Sequence, residues 1–172
     1  MVLELKAPHG DSLADLLPLM PLFLSYILSF MYVAIYWSNH HHLFQLVKHV
    51  KGPILWANMH LLFWLSLIPF ATAWSDENHF HSLPVATYGF VLLMCSIAYW
   101  ILVRTLLREH GQDSDLAKAI GTDTKGKIST LIYLVSIPLA FVSAYLSLAM
   151  YVIVALIWIV PDIRVERVLK SE

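Results

Sequence analysis

The chain has 172 residues, of which 59% are hydrophobic and only 13% are charged. A soluble domain of this length has about a quarter of its residues charged, so this composition excludes an ordinary water-soluble domain and predicts a membrane protein. The net charge of -1 predicts no nucleic-acid partner, and the single cysteine, Cys95, excludes an intrachain disulfide.

Four apolar blocks predict five membrane-spanning helices. In chain order, the first three blocks have 23, 22 and 22 residues without a charge, and each can cross about 30 Å of hydrocarbon as a helix. The fourth block, residues 128–160, has 33 residues and would run about 50 Å as one helix, so we interpret it as two short spans with a turn near residues 143–147. The sequence therefore predicts an all-α, polytopic membrane helix bundle in a single domain, residues 1–172, with spans at about residues 16–38, 53–74, 82–103, 128–143 and 147–160.

Two prolines lie well inside these predicted spans, away from the first turns of their helices. Pro69 falls in the second span and Pro138 in the fourth. Proline has no N–H to donate to the preceding turn, so we expect each one to kink its helix or to open the hydrogen-bond ladder.

The basic residues predict which side of the membrane each loop faces. Ten of the eleven lysines and arginines lie between the first two spans, between the third and fourth, or after the last. The positive-inside rule places these three segments, including the C-terminus, in the cytoplasm. Five spans then put Met1 outside the cell, whereas one further span before Met1 would return the N-terminus to the cytoplasm. Because Met1–Leu5 resembles the outer end of such a span, we favour a chain that lacks most of a first membrane helix; a genuine five-span protein is the alternative.

Polar side chains inside a span need a specific reason, because they are costly in hydrocarbon. Asn58 and His60 lie near the start of the second span. They could line a path for ions or protons, or they could form hydrogen bonds between helices, which is the ordinary role of such residues in membrane proteins. For both residues we favour the hydrogen-bonding interpretation.

Two groups of histidines are candidate metal sites, and we predict no metal at either. Residues 40–42 are three consecutive histidines, but consecutive residues of a helix point in different directions and do not converge on one ion. His79 and His81 stand beside Asp76 and Glu77 in a loop on the predicted outer side. A weak divalent-ion or pH-sensing site is possible there, and a solvated loop is the ordinary interpretation.

An enzyme is not predicted. The sequence has no Ser/His/Asp set and no glycine-rich phosphate loop, and only His60 is well inside a span, which argues against a haem held between facing helices. All twelve acidic residues lie outside the spans, so a transporter driven by protonation of intramembrane carboxylates is disfavoured as well.

Three stretches resemble one family of channels. The sequence W-S-N-H-H-H-L-F at residues 37–44 is similar to a second-helix signature W-x-x-H followed by a Leu-Phe pair. Asn58 is followed eleven residues later by Pro69, like an N…LPF/Y pattern, and residues 157–161 end the chain's last span in a similar way. On these motifs the chain resembles the transmembrane protein 175 family, the endosomal and lysosomal potassium channel with its single-repeat prokaryotic relatives.

The resemblance implies a role for three residues and leaves the pore unassigned. The family's hallmark R-x-x-x-F-S-D, at the start of its first membrane helix, is absent here, and Met1–Leu5 resembles the end of that helix. In the family, the first helices of four repeats surround the pore and carry an apolar constriction. By resemblance, Trp37, His40 and Asn58 would pack and hydrogen-bond against the F-S-D segment and hold the pore helix, without touching the ion.

These observations lead to three functional hypotheses. The first is a potassium-permeable channel subunit without a cofactor, assembled as a homotetramer in the lipid bilayer of a prokaryotic plasma membrane, with K⁺ as the permeant ion and the pore formed by a first helix mostly absent from this sequence. The second is a non-conducting five-span scaffold or orphan subunit. The third is a metal- or pH-responsive sensor that uses His79 and His81.

Overall fold

The structure is a computed structural model, which describes residue 12 and residues 16–111, 114–121 and 123–159. All regular secondary structure in these residues is helical, which confirms the all-α prediction. The predicted helix end at Met1–Leu5 and the basic C-terminal segment lie outside the described residues. A 3₁₀ turn at Leu17–Leu19 precedes seven helices: α1 (Met20–Gln45), α2 (Gly52–Ser66), α3 (Ile68–Glu77), α4 (Ser82–His110), α5 (Asp115–Ile120), α6 (Thr124–Leu139) and α7 (Ala144–Ile159).

Three of the described segments are long and apolar enough to cross a membrane. They are α1, the consecutive pair α2 and α3, and α4, while α7 is a shorter apolar helix of 16 residues. Helix α4 continues seven residues beyond the predicted third span and ends at Gly111, whose φ of 85° lies in the left-handed region that favours glycine. The count of five spans and their limits stay predictions.

Pro69 and Pro138 both lie where the helical path changes. The second apolar segment is interrupted at Leu67, between α2 and α3, two residues before Pro69. Pro138 stands in the last turn of α6, and the chain turns through residues 140–143 before α7 begins. This turn comes a few residues earlier than the sequence analysis placed it, and a bond from the Ser147 hydroxyl to the Ser136 carbonyl ties the two helices together beyond it.

Helix α4 is the centre of the bundle and packs against α2, α3, α6 and α7. It packs tightly against α7 at Gly89, where the ring of Tyr151 occupies the space that a β-carbon would need. The Tyr151 hydroxyl donates to the Val85 carbonyl at 3.3 Å, and the Tyr32 hydroxyl donates to the Tyr151 carbonyl at 2.5 Å. Small residues and interhelical hydrogen bonds are the means by which membrane helices associate, so this contact joins α1, α4 and α7.

Substitution of Gly89 by alanine tests this packing. A β-carbon at Gly89 would overlap the ring and hydroxyl of Tyr151, and overpacking of this kind costs about 1–3 kcal/mol. We therefore expect Gly89→Ala to lower the midpoint of thermal unfolding in detergent. Gly52→Ala is the matched control, because nothing lies within 4 Å of a β-carbon there. Equal midpoints for the two variants would contradict a close contact between α4 and α7.

Candidate functional site

His40 and Asn58, both predicted site residues, form a hydrogen bond between α1 and α2. The loop at residues 46–51 reverses the chain, so that the end of α1 lies beside the start of α2. His40 Nε2 and the Asn58 amide oxygen are 2.8 Å apart, and both residues are half-buried. Because an amide oxygen can only accept, His40 donates from Nε2. The imidazole is also stacked on Phe44, with ring centroids 4.3 Å apart.

Trp37, the third predicted site residue, is not in contact with this pair. It lies three residues before His40, on a neighbouring part of the same helix face. Its side chain is 67% exposed, and its ring stacks on His41 at 5.4 Å. The structure therefore brings His40 and Asn58 together and leaves the Trp37 ring on the outer surface of α1.

Trp37 belongs to a stripe of exposed side chains that we call the open face of α1. Phe23, Ile27 and Phe30 share it, each 40% or more exposed, at the three- and four-residue spacing that places side chains on one side of a helix. Within the described residues no other helix covers this face, so lipid or another helix has to cover it in the membrane.

His60 forms its hydrogen bond within a single helix. Trp64 Nε1 donates to His60 Nε2 at 3.0 Å, and both residues belong to α2. The expected bond from His60 to another helix is therefore not present among the described residues. The four-residue spacing instead brings the His60 and Trp64 rings together on one face of α2.

The consecutive histidines point apart. His40 bonds to Asn58, His41 lies 3.1 Å from the Gln45 amide nitrogen, and the His42 ring lines a small cavity beside α5. His79 and His81 are exposed in the turn between α3 and α4, where φ is positive at His79 and Phe80. Among the described residues, no group of three metal-ligating side chains is placed to hold an ion.

A cluster of hydroxyl groups that was not predicted from the sequence lies inside the bundle. The hydroxyls of Ser29 on α1 and Thr72 on α3 are hydrogen-bonded to each other, and the Tyr88 hydroxyl on α4 lies 3.4 Å from Ser29 Oγ. All three side chains are buried. The available signal was Ser29 itself, a polar residue in the middle of an uncharged span.

The fold and the buried polar pairs define a multi-pass helical membrane protein, and comparison with known proteins places it in a family. Residues 1–69 match the family model described as endosomal/lysosomal potassium channel TMEM175. A potassium channel of Chryseobacterium sp. (strain P1-3) is 54% identical over 171 residues, which cover 99% of this chain and 89% of that protein. A potassium channel of Streptomyces collinus (strain DSM 40733 / Tue 365) is 29% identical, covering 91% of this chain and 81% of that protein.

A solved structure agrees with these relatives. The crystal structure of a lysosomal potassium-selective channel TMEM175 homologue from Chamaesiphon minutus superposes with a TM-score of 0.76 at 26% identity, covering 94% of this chain and 87% of that one. The chain belongs to the TMEM175 potassium-channel family, as its motifs indicated. This is a family of channels and not of enzymes.

A double-mutant cycle on His40→Leu and Asn58→Leu tests the hydrogen bond between α1 and α2. Hydrogen bonds between membrane helices couple their partners by about 0.6 kcal/mol on average, and by about 1.7 kcal/mol at most. We expect a coupling free energy of unfolding in that range, measured by denaturation in mixed micelles. The matched control is the exposed pair His41 and Gln45 within α1, for which we expect almost no coupling. A His40–Asn58 coupling as small as the control's would contradict a bond that stabilises the fold.

Proposed function

We propose that the chain is a subunit of a potassium-permeable cation channel, in which four copies surround one pore. The family and the potassium channels among its relatives support this proposal. The pore constriction is apolar and is carried by a helix that precedes α1, and permeation through such a constriction is controlled by its hydration. Trp37, His40 and Asn58 hold that helix in place and do not contact the ion.

The observation that carries this proposal is the position of the His40–Asn58 pair beside the open face of α1. The Asn58 amide nitrogen has no hydrogen-bond partner among the described residues, so it can donate to a polar group on another helix. The exposed rings of Phe30 and Trp37 on α1 offer that helix an apolar surface. A helix with a hydroxyl or carboxylate among apolar residues has the complementary chemistry.

We place the protein in the plasma membrane as a single domain, residues 1–172, with five spans in the present sequence and a cytoplasmic C-terminus. The contact between Lys51 and Glu109, 2.9 Å from Nζ to Oε2, supports this orientation. It brings the loop between α1 and α2 to the same end of the bundle as Arg104 and Arg108. Basic residues from two predicted cytoplasmic segments therefore meet at one end, as the positive-inside rule requires.

Potassium flux into proteoliposomes tests the supporting role of Asn58. We expect Asn58→Leu to reduce flux by at least about tenfold, which corresponds to about 1.4 kcal/mol, because the pore helix loses a hydrogen bond that positions it. Met59→Leu is the matched control, since Met59 is the next residue and its side chain is 58% exposed.

The protein is purified from its native membrane, and its intact mass is recorded beside the flux. Normal flux in Asn58→Leu with assembly intact would contradict the supporting role, and a wild-type protein of 19.6 kDa without flux would favour the non-conducting scaffold.

Native mass spectrometry of the same preparation tests the assembly. Because each chain supplies one repeat, we expect a complex of four copies to persist in mild detergent. Substitution of Phe30 by glutamate on the open face of α1 should reduce the tetramer, because a carboxylate is costly at a helix interface in the membrane. Leu156→Glu on α7 is the control, at a side chain of similar exposure, 58% against 55%. Dimers or monomers of the wild-type protein would contradict four-fold assembly.

A further inference from the structure

A cavity of about 460 Å³ lies between α1, α4 and α6. Along α1 it extends from Tyr32 to Asn39, which is about 10 Å of helix, and along α6 it extends from the first turn to Leu134. Leu131 and Leu134 line it although each is more than half exposed. The cavity therefore opens sideways, between α1 and α6, to the surface that lies in the membrane.

This cavity is separate from the candidate pore-supporting site. Ile35 and Asn39 line it, whereas Trp37 lies between them in sequence on the open face. Two residues along a helix correspond to a rotation of about 200°, so the cavity and the open face are on opposite sides of α1. A helix held by Trp37 and the His40–Asn58 pair would not enter the cavity.

The cavity has a mostly apolar wall, because the serine and threonine hydroxyls that line it are hydrogen-bonded within the protein. The Ser96 hydroxyl on α4 donates to the Thr130 hydroxyl on α6 at 2.7 Å, and the Thr130 hydroxyl donates to the Gly126 carbonyl at 2.8 Å. The Ser129 hydroxyl accepts from the Trp158 indole at 2.8 Å. The rings of tyrosines and tryptophans and the side chains of isoleucines and leucines line much of the rest. A polar solute would find few partners here, whereas a hydrocarbon chain would be in contact with rings and methylene groups.

One end of the cavity is basic. Lys127, in the first turn of α6, lines the mouth, and Arg104 lies over the Trp100 ring at 5.2 Å, with that ring forming part of the wall. Asp123 is also at the mouth, but its carboxylate accepts from the Gly126 N–H at 3.0 Å and caps α6, where the helix dipole stabilises its negative charge. Basic pockets of this kind between membrane helices suit anionic lipid head groups.

We propose that this cavity binds one acyl chain of an anionic membrane phospholipid, with the head group at Lys127 and Arg104. The chain enters sideways between α1 and α6 and lies against the rings of Tyr36, Tyr99 and Tyr133. The ligand separates α1 from α4 and α6 at the basic end of the bundle. This proposal goes beyond potassium permeation and does not depend on it.

Native mass spectrometry of the whole assembly tests this site. The protein is washed with detergent and mixed with phosphatidylglycerol or phosphatidylcholine that carry identical acyl chains. We expect the wild type to retain one phosphatidylglycerol per chain, and to bind phosphatidylcholine at least about tenfold more weakly. Leu134→Trp fills the cavity and should abolish retention, whereas Val135→Trp, which adds the same group at the next, exposed residue outside the cavity, should retain the lipid.

A second pair of variants separates the head group from the chain. Lys127→Gln should remove the preference for phosphatidylglycerol, while Arg108→Gln, which removes an exposed charge outside the cavity, should preserve it. If Leu134→Trp does not assemble, Leu131→Trp blocks the same opening. A wild type that retains no lipid would overturn the site. Equal retention in Leu134→Trp and Val135→Trp would overturn it as well. Equal binding of the two lipids by the wild type would overturn the selection for an anionic head group.

Discussion

In hydrocarbon a polar side chain gains nothing from the solvent, so it must be paired within the protein or it carries the full cost of desolvation. The described helices meet this requirement in two ways. Short hydroxyls bond to a carbonyl one turn earlier in their own helix, as Thr72 does to Ile68 and Thr105 does to Ile101. Longer side chains reach across the bundle, as Tyr32 does to the carbonyl of Tyr151. These crossing bonds determine which helices lie next to each other.

The close packing of α4 follows from the same constraint. A tyrosine hydroxyl can reach a backbone carbonyl on another helix only where the ring fits between the two helices. Gly89 provides that space, because the Tyr151 ring occupies the position of the missing side chain and its hydroxyl reaches Val85. Helix α1 is then attached through Tyr32 and through the Ser29–Thr72 bond. The same few contacts therefore hold α1, α3, α4 and α7 together.

The helical fold could be predicted from the sequence, because long uncharged blocks have few alternatives in a membrane. The interruption near Pro69 could be predicted too, since proline removes a donor at a known position. The turn between α6 and α7 was predicted a few residues late. Length alone showed that residues 128–160 had to be divided, and it did not fix the point of division, whereas α6 ends at Leu139, one residue after Pro138. The family resemblance placed Trp37, His40 and Asn58 against the F-S-D segment, but it did not predict the bond between His40 and Asn58. Spacing in the sequence does not relate residues on two helices. The cavity could not be predicted, because it depends on how far α1 stands from α4 and α6.

The two sides of α1 have different chemistry, and each side suits one of the two proposed contacts. On the open face, the apolar rings of Phe30 and Trp37 are exposed, which suits another helix. On the opposite side the hydroxyls are already paired and the surface is aromatic, which is a surface for hydrocarbon. In the proposed channel, α1 therefore stands between the pore helix and the bound acyl chain. In that arrangement, a displacement of α1 by the lipid would be transmitted to the proposed pore helix through the His40–Asn58 bond, because this bond joins α1 to α2.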